Sequence, residues 1–380
     1  MSNETFQPLR AGIVGGGQGA FIGTVHRIAA ELDSQARVVA GAMSSDPQRA
    51  RDSAAAWGLE RSYDAFATMA AEESQHQDGI DFVIVATPNH LHLPVTRAFL
   101  EAGIHVICDK PLAASLDEAR EIAAAVETSG CLFALTHTYA GYPMVREARA
   151  LVASGAIGKL RKVQVEYNQD WLMEPIERQG QKQAAWRTDP ARSGISCCVG
   201  DIGTHAHHLL EFIAGQQVES VCAELTSFVE GRVLDDDASM LLRLEGGARG
   251  TLVCSQVSCG EENNLNIRLY GTEAGLEWHQ QEPNTLIFKP AGKPAERWRT
   301  AAPYLGPAAA AATRTPGGHP EGYLEAFANI YRDFIADVRC VAAGDSPLRN
   351  YPGCMDGLRG MRFVEAAVAS SKQGSRWVEV

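Results

Sequence analysis

The sequence predicts an α/β N-terminal domain with a doubly wound parallel sheet (residues 1–137), followed by an α+β C-terminal domain (138–380) with a large, mostly antiparallel open sheet. Three observations predict it. A short apolar run, Ala11–Val14, ends in the glycine cluster Gly15–Ala20 and leads into a helical stretch, Thr24–Leu32. Apolar runs and helical stretches then alternate to about residue 137, the order of repeated βαβ units. From Gly158 the period becomes two: Val163, Val165 and Tyr167 alternate with Gln164, Glu166 and Asn168, as in a half-buried strand.

The glycine cluster fits the G-x-G-x-x-G/A turn of dinucleotide-binding sheets, with Gly15, Gly17 and Ala20 at the key positions and Gln18 and Gly19 between them. In that reading Gly15 makes the tight turn, Gly17 admits a pyrophosphate, and Ala20 lets the helix pack closely. The pyrophosphate meets amide donors at the positive end of the helix. The alternative is a plain glycine-rich turn.

Arg37–Met43 reads as the second strand. Asp46 caps the next helix, Pro47 starts it and Gly58 ends it. Ser44 and Ser45 stand where NAD-binding sheets usually carry an acid for the ribose hydroxyls. With Arg49 and Arg51 close by, a 2′-phosphate fits better, so the preferred cofactor is NADP over NAD. Otherwise Ser44 starts a loop and the arginines are solvated.

Ile80–Ala86 is a buried strand that ends in Thr87-Pro88-Asn89-His90-Leu91-His92, with a helix from about Leu93 to Ala102. Ile104–Cys108 is another strand, ending in Asp109-Lys110-Pro111. Ser115 and Glu118 form a capping box for a helix that stops at Gly130, and Cys131–Thr136 is the last strand of the series. Ligands bind such sheets outside the carboxyl ends of the strands. Ser44, Thr87, Pro88, Asn89, His92, Asp109, Lys110 and His137 all fall there. Lys110 is either a functional amine tuned by its surroundings or an ordinary exposed loop lysine.

In the second half, Val218–Val229, Asp237–Leu244, Ala248–Ser258, Leu265–Leu269 and Leu286–Lys289 join Val163–Tyr167 as strands, with a hairpin at Gly246-Gly247. Helices on one face of this sheet leave the other to be covered, so a homodimer or homotetramer is expected. Residues 290–320 are rich in Pro, Ala and Gly without a period, and helices follow over 322–339 and 356–371.

One stretch stands out here: Trp186-Arg187-Thr188-Asp189, then Ser193 to His208, leading into an apolar helix that ends near Ala214. Asp201, His205 and His208 lie at helical spacing, so Asp201 can orient His205, a candidate general base. A helix-start Asp and a structural His fit the spacing equally well. Cys197, Cys198, His205, His207 and His208 are potential metal ligands, but adjacent cysteines and the lack of H-E-x-x-H argue against a metal.

Composition narrows the classes. The chain of 380 residues is 45% apolar, so it can bury a proper core. A net charge of −12 argues against nucleic acid or an anionic membrane as partner. No apolar run reaches the length of a membrane span, and the N-terminus does not read as a secretory signal. Nine cysteines without framework spacing suit reduced thiols and a cytoplasmic location.

The glycine turn, Thr87-Pro88-Asn89-x-x-His92, Asp109-Lys110-Pro111 and Asp201-x-x-x-His205 occur in that order ahead of or within a β-rich second half. Together they resemble the glucose–fructose oxidoreductase, inositol dehydrogenase and rhizopine-catabolism (Gfo/Idh/MocA) family over nearly the whole chain. The resemblance implies a Rossmann domain and hydride transfer between NADP or NAD and a sugar or cyclitol. It implies catalytic roles for Lys110, Asp201 and His205. Tyr139, Tyr142, Trp171, Trp186, Arg187 and His319 are candidates for binding the polyol. Asp109 replaces the usual glutamate before the lysine, and two departures stand out: Ile195-Ser196-Cys197-Cys198 follows Gly194 where glycines are common, and His137-Thr138-Tyr139-Ala140-Gly141-Tyr142 stands where a tyrosine- or arginine-rich loop is common. Nucleotide-assisted glycoside cleavage and a non-catalytic sensor are the alternatives.

Overall fold

The computed structural model describes residues 7–380, which form two compact units. In the first, β1 (Leu9–Gly15), α1 (Phe21–Glu31), β2 (Ala36–Ala42), α2 (Pro47–Trp57), β3 (Arg61–Ser62), α3 (Phe66–Glu73), β4 (Phe82–Ala86), α4 (His92–Glu101), β5 (His105–Cys108), α5 (Leu116–Ser129) and β6 (Phe133–Leu135) follow one another. The strands form one sheet in the order β3-β2-β1-β4-β5-β6, and every pairing is parallel. All five residues of β4 are buried, as a continuous apolar strand covered on both faces requires. Asp46 caps α2 as its sequence indicates, with Oδ1 accepting the Arg49 N–H at 2.8 Å, and Gly58 ends it at φ +65°. The sequence reading passed over α3 and the two-residue β3.

The first unit does not end with β6. Leu324–Leu358 belongs to it, so the chain does not divide at a single point after residue 137. Phe334 meets Phe82 edge-on with ring centroids 5.5 Å apart, and Phe327 meets His26 at 4.9 Å. The Leu135 N–H donates to the Pro352 carbonyl at 2.8 Å.

The chain continues with α6 (Pro143–Ala153), β7 (Lys162–Asn168), α7 (Lys182–Arg187), α8 (Pro190–Ser193), α9 (Thr204–Ala214), β8 (Val218–Thr226), β9 (Asp237–Leu244), β10 (Arg249–Ser255), β11 (Asn264–Tyr270), β12 (Ala274–His279), β13 (Thr285–Pro290), β14 (Glu296–Arg299), α10 (Pro307–Ala311), α11 (Tyr323–Ala342), α12 (Cys354–Lys372) and β15 (Val378–Glu379). The second unit takes residues 114–116, 139–323 and 359–380. Its nine strands lie in the order β14-β13-β12-β11-β7-β10-β9-β8-β15. All pairs are antiparallel except β7 with β10. Buried and less buried residues alternate along β7 and β9, leaving one face open. The Gly246-Gly247 hairpin turns at φ +76° and +90°.

The sheet is larger than its sequence indicates, because β12, β14 and β15 give no clear alternating signal. β14 reads Glu-Arg-Trp-Arg, a charged edge strand. It lies in the 290–320 stretch, as does α10, so that stretch is not a featureless loop.

Candidate active site

In the first unit, the turn after β1 fits a dinucleotide. Gly15 turns the chain at φ +81°. A Cβ on Gly17 would fall 2.6 Å from the Met43 carbonyl oxygen, and one on Gly23 would fall 2.3 Å from that of Gly16. Gly17 therefore admits the end of β2, and the contact between Gly23 and Gly16 brings α1 close to the turn. Ala20 is the residue before α1, and its N–H donates to the Gly17 carbonyl at 3.0 Å. Gly19 faces open space. Gln18 is exposed, and its N–H donates to the Ser53 hydroxyl at 3.1 Å.

At the end of β2, the Ser44 hydroxyl accepts the Asp46 N–H at 3.1 Å, and Ser45 is exposed. Arg51 pairs with Asp64 at 3.3 Å. Arg49 is exposed, and its guanidinium has no partner among the described residues.

At the end of β4, Thr87 and Pro88 are half-buried and Asn89 is buried. The Thr87 hydroxyl and His90 Nδ1 are shut off from solvent with no hydrogen-bond partner among the described residues. Two orphaned polar atoms beside a glycine cradle fit a bound polar ligand. His92 differs from its sequence reading. It is fully buried and presents no ring edge to a ligand; its ring nitrogens meet the carbonyl oxygens of Pro111 and Thr87.

After β5, the Asp109 carboxylate accepts from the Lys110 N–H and the Thr136 hydroxyl, both at 2.9 Å. Lys110 is half-buried, and the bond from it to Pro111 is cis. His137 is buried near the end of β6.

The second unit holds the other half of the candidate residues. Asp201 lies in one wide helical turn, Val199–Gly203, directly before α9, and His205 is the second residue of α9. Wide turns of this kind are frequent at functional sites. The turn is anchored from below. Asp235 is buried and accepts from the Ser196 hydroxyl at 2.9 Å and from the N–H groups of Cys197 and Val199 at 3.1 and 2.9 Å. Burial pushes its carboxyl above the usual range, and those hydrogen bonds pull against the rise.

Asp201 Oδ2 accepts from Arg187 Nε at 3.1 Å and from Gln256 Nε2 at 3.0 Å. The Arg187 guanidinium lies over Trp186 at 4.2 Å and nearer the edge of reach of Trp171 at 5.9 Å. His205 is half-buried among buried neighbours, edge-on to Tyr139 with ring centroids 4.9 Å apart. The Tyr139 and Tyr167 hydroxyls meet at 2.5 Å, and Tyr167 donates to Asn263 Oδ1 at 2.8 Å. Burial raises both phenol pKa values, so these tyrosines act as neutral hydrogen-bonding groups.

Tyr142 stacks on Tyr139 at 6.3 Å and lines a cavity of about 540 Å³ together with Asn263, Gln280 and Tyr323. His319 lies on an exposed loop with Nδ1 3.2 Å from the Pro316 carbonyl. Of the other histidines, His207 stacks on Phe363 at 4.2 Å and His208 on Phe212 at 5.7 Å. No three metal-ligating side chains group together among the described residues. Tyr167, Asp235, Gln256 and Asn263 escaped the sequence reading. The alternation along β7 marks Tyr167 as buried; nothing local marks the other three.

Comparison with known proteins identifies the architecture. Residues 9–137 match the oxidoreductase family with an NAD-binding Rossmann fold, and residues 145–277 match the GFO/IDH/MocA C-terminal domain. An uncharacterised oxidoreductase of Bacillus subtilis is 36% identical, over 98% of this chain and 97% of that protein. An inositol dehydrogenase homologue from Azotobacter vinelandii, solved with NAD+, is 37% identical over 98% of each chain with a TM-score of 0.94. The same homologue has been solved with NADH and myo-inositol. Levoglucosan dehydrogenase of Pseudarthrobacter phenanthrenivorans is 26% identical over 98% of each chain. Both domains match in order and a relative above 30% identity aligns end to end, so the chain belongs to the Gfo/Idh/MocA family of oxidoreductases.

Proposed function

We propose that this enzyme is an NAD-dependent dehydrogenase that oxidises a secondary hydroxyl of a cyclic polyol or sugar. The observation that carries the reading is the placement of Asp201 and His205 four residues apart at the start of α9, with Arg187 and Gln256 on the carboxylate and Tyr139 edge-on to the imidazole, beside a tyrosine and amide network and a polar cavity. Such a surface offers flat faces and neutral donors to a hydroxylated ring. The relatives solved with myo-inositol and levoglucosan fall in the same substrate class.

When bound, the dinucleotide supplies the two-electron acceptor. The chain's own residues place the substrate and manage the proton. His205 takes the proton from the reacting hydroxyl as the carbon–hydrogen bond breaks and the carbonyl forms. Lys110 binds the reacting oxygen and stabilises its developing negative charge. Asp201 orients His205. Tyr139, Tyr142, Trp171, Trp186 and Arg187 shape the pocket, with Arg187 acting through Asp201. His319 is assigned to its outer rim.

The choice of NAD reverses the preference for NADP that Ser44 and its neighbours support by sequence alone. Arg51 is paired with Asp64, which leaves Arg49 as the one nearby guanidinium without a partner among the described residues, while the Ser44 hydroxyl accepts from the Asp46 N–H and keeps its own O–H to donate. The relatives' structures hold NAD+ or NADH. Titration of the purified protein with NADH and NADPH tests this: NADH binds more tightly, and a preference for NADPH overturns the assignment. Steady-state assays with NAD+ over a panel of cyclitols and sugars test the reaction. No reduction of NAD+ with any of them would refute it.

The open face of the nine-stranded sheet carries Leu241, 52% exposed, and an ion-pair array of Arg268 with Glu166 and Glu277. Self-association through this face, as a homodimer or homotetramer, completes the proposal. Light scattering that finds a monomer at micromolar concentration would remove it.

A further inference from the structure

Gln256 follows β10 directly and is completely buried. Its backbone is held on both sides: its N–H donates to the Asp236 carbonyl at 2.8 Å, and its carbonyl accepts from Leu172 N–H at 3.0 Å. Its side chain bridges Asp201, within the wide turn, and Cys197, just before it. Nε2 donates to Asp201 Oδ2 at 3.0 Å, and Oε1 accepts from Cys197 Sγ at 3.5 Å. This fixes which way the amide points. A carboxylate only accepts, so the amino end must face Asp201, and a thiol supplies the donor that the carbonyl end needs. Glutamate, leucine or a reversed amide would each leave a buried group mismatched.

We infer that Gln256 is a positioning residue that sets the carboxylate of Asp201, and through it His205 one turn later. The inference rests on the dehydrogenase reading above. The turn itself does not depend on Gln256, because Asp235 holds Ser196, Cys197 and Val199 independently. Arg187 supplies the charge partner of Asp201, and Gln256 supplies the direction. Two donors from different elements, α7 and the end of β10, fix a carboxylate in a way that one ion pair on a long side chain does not.

The test uses two variants of the full-length protein. Gln256→Met keeps the length and removes the donor. It lowers kcat/KM for myo-inositol with NAD+ at least tenfold and leaves the Kd for NADH within twofold. Gln256→Glu places a second carboxyl against Asp201. The other ionisable groups whose charges interact with this region include Arg187, Arg232, Cys197, Asp235, Tyr139 and Tyr167. Two adjacent carboxyls raise the pKa of the pair in the folded protein. The Tm of Gln256→Glu therefore falls relative to the parent as pH rises from 5 to 8. Adding Asp201→Asn removes the part of that slope that the facing carboxylates cause and leaves only the part due to burial at position 256, and the acid limb of the kcat/KM profile of Gln256→Glu moves to higher pH.

Parental kcat/KM and pH profile in Gln256→Met overturn the inference, as does a Gln256→Glu Tm curve parallel to that of the parent. If the parent oxidises no polyol but the Tm coupling appears, the dehydrogenase reading falls and the Gln256–Asp201 clamp stands.

Discussion

His92 Nδ1 lies 2.8 Å from the carbonyl oxygen of Pro111, on the turn that follows Lys110. Its other nitrogen, Nε2, lies 3.0 Å from the carbonyl of Thr87 at the end of β4. The neutral ring has one N–H, so it donates to one of these carbonyls and packs against the other, wedged between two neighbouring strand ends that both carry candidate site residues. Burial pulls its pKa below the ordinary histidine value, and Asp109 and the carbonyls offset only part of that. Replacing it with Asn, whose shorter side chain cannot fill the ring's place between the two carbonyls, loosens the two turns. At about 1 kcal/mol for a lost hydrogen bond, NADH binding weakens by about fivefold. Fluorescence titration reads this directly, and an unchanged Kd would show that the wedge does not reach the site.

His26 sets a pH dependence of stability. Burial lowers its pKa to about 4, although Asp109 lies within 3.9 Å and pulls the other way. The ring is therefore neutral at pH 7, and the close approach to Asp109 is not an ion pair. The unfolded chain binds a proton near pH 6.5 that the folded chain refuses until about pH 4. Stability is thus complete above pH 6.5 and falls as the pH drops through that window, by up to about 3 kcal/mol. His26→Gln keeps a partner for Tyr331 and flattens the fall. Thermal melts of both proteins between pH 7 and 4.5 measure the difference.

Gly17→Ala puts a methyl group 2.6 Å from the Met43 carbonyl oxygen, and backbone cannot yield as a flexible side chain can. Overpacking of this sort costs about 1–3 kcal/mol. The Tm falls by several degrees and the NADH affinity drops with it. At Gly19, where a Cβ meets nothing within 4 Å but φ is +80°, Ala costs backbone strain without a clash. Comparing the two variants separates crowding from conformation.

Lys110→Ala and His205→Ala each remove a group assigned to the reacting oxygen. Each lowers kcat by about 10²–10⁴-fold, the usual share of a positioned acid or base. NADH still binds His205→Ala with parental affinity. Stopped-flow measurement of NADH formation with the polyol that the parent oxidises fastest checks the rate. Near-parental turnover in both variants would return Lys110 to the class of ordinary loop lysines.

Local chemistry made much of this legible in the sequence. A glycine turn between an apolar run and a helix states its own geometry, and so do Asp46 with Pro47 at α2 and the double glycine between β9 and β10. The Asp201–His205 spacing placed both residues at the start of one helix. Contacts between distant residues were not legible. Gln256 is 55 positions from Asp201, and Asp235 is 39 from Ser196, so no spacing rule links either pair. The surroundings of His92 were not legible for a related reason: a histidine at a strand end looks the same in sequence whether its ring faces a ligand or two carbonyls. β14 and β15 failed as signals because short or charged edge strands carry no alternation.

The segment Leu324–Leu358 also bears on how the protein is made. Phe82, in the middle strand of the first sheet, packs against Phe334, and His26 hydrogen-bonds the Tyr331 hydroxyl at 2.7 Å. A ribosome releases the six strands of that sheet long before it reaches these aromatic partners. Until then the nascent sheet has an uncovered apolar surface and waits while the second unit emerges. Domains usually mature in the order of synthesis. Here the first to be translated is among the last to be finished, and its apolar face stays uncovered through about half of the chain's own elongation.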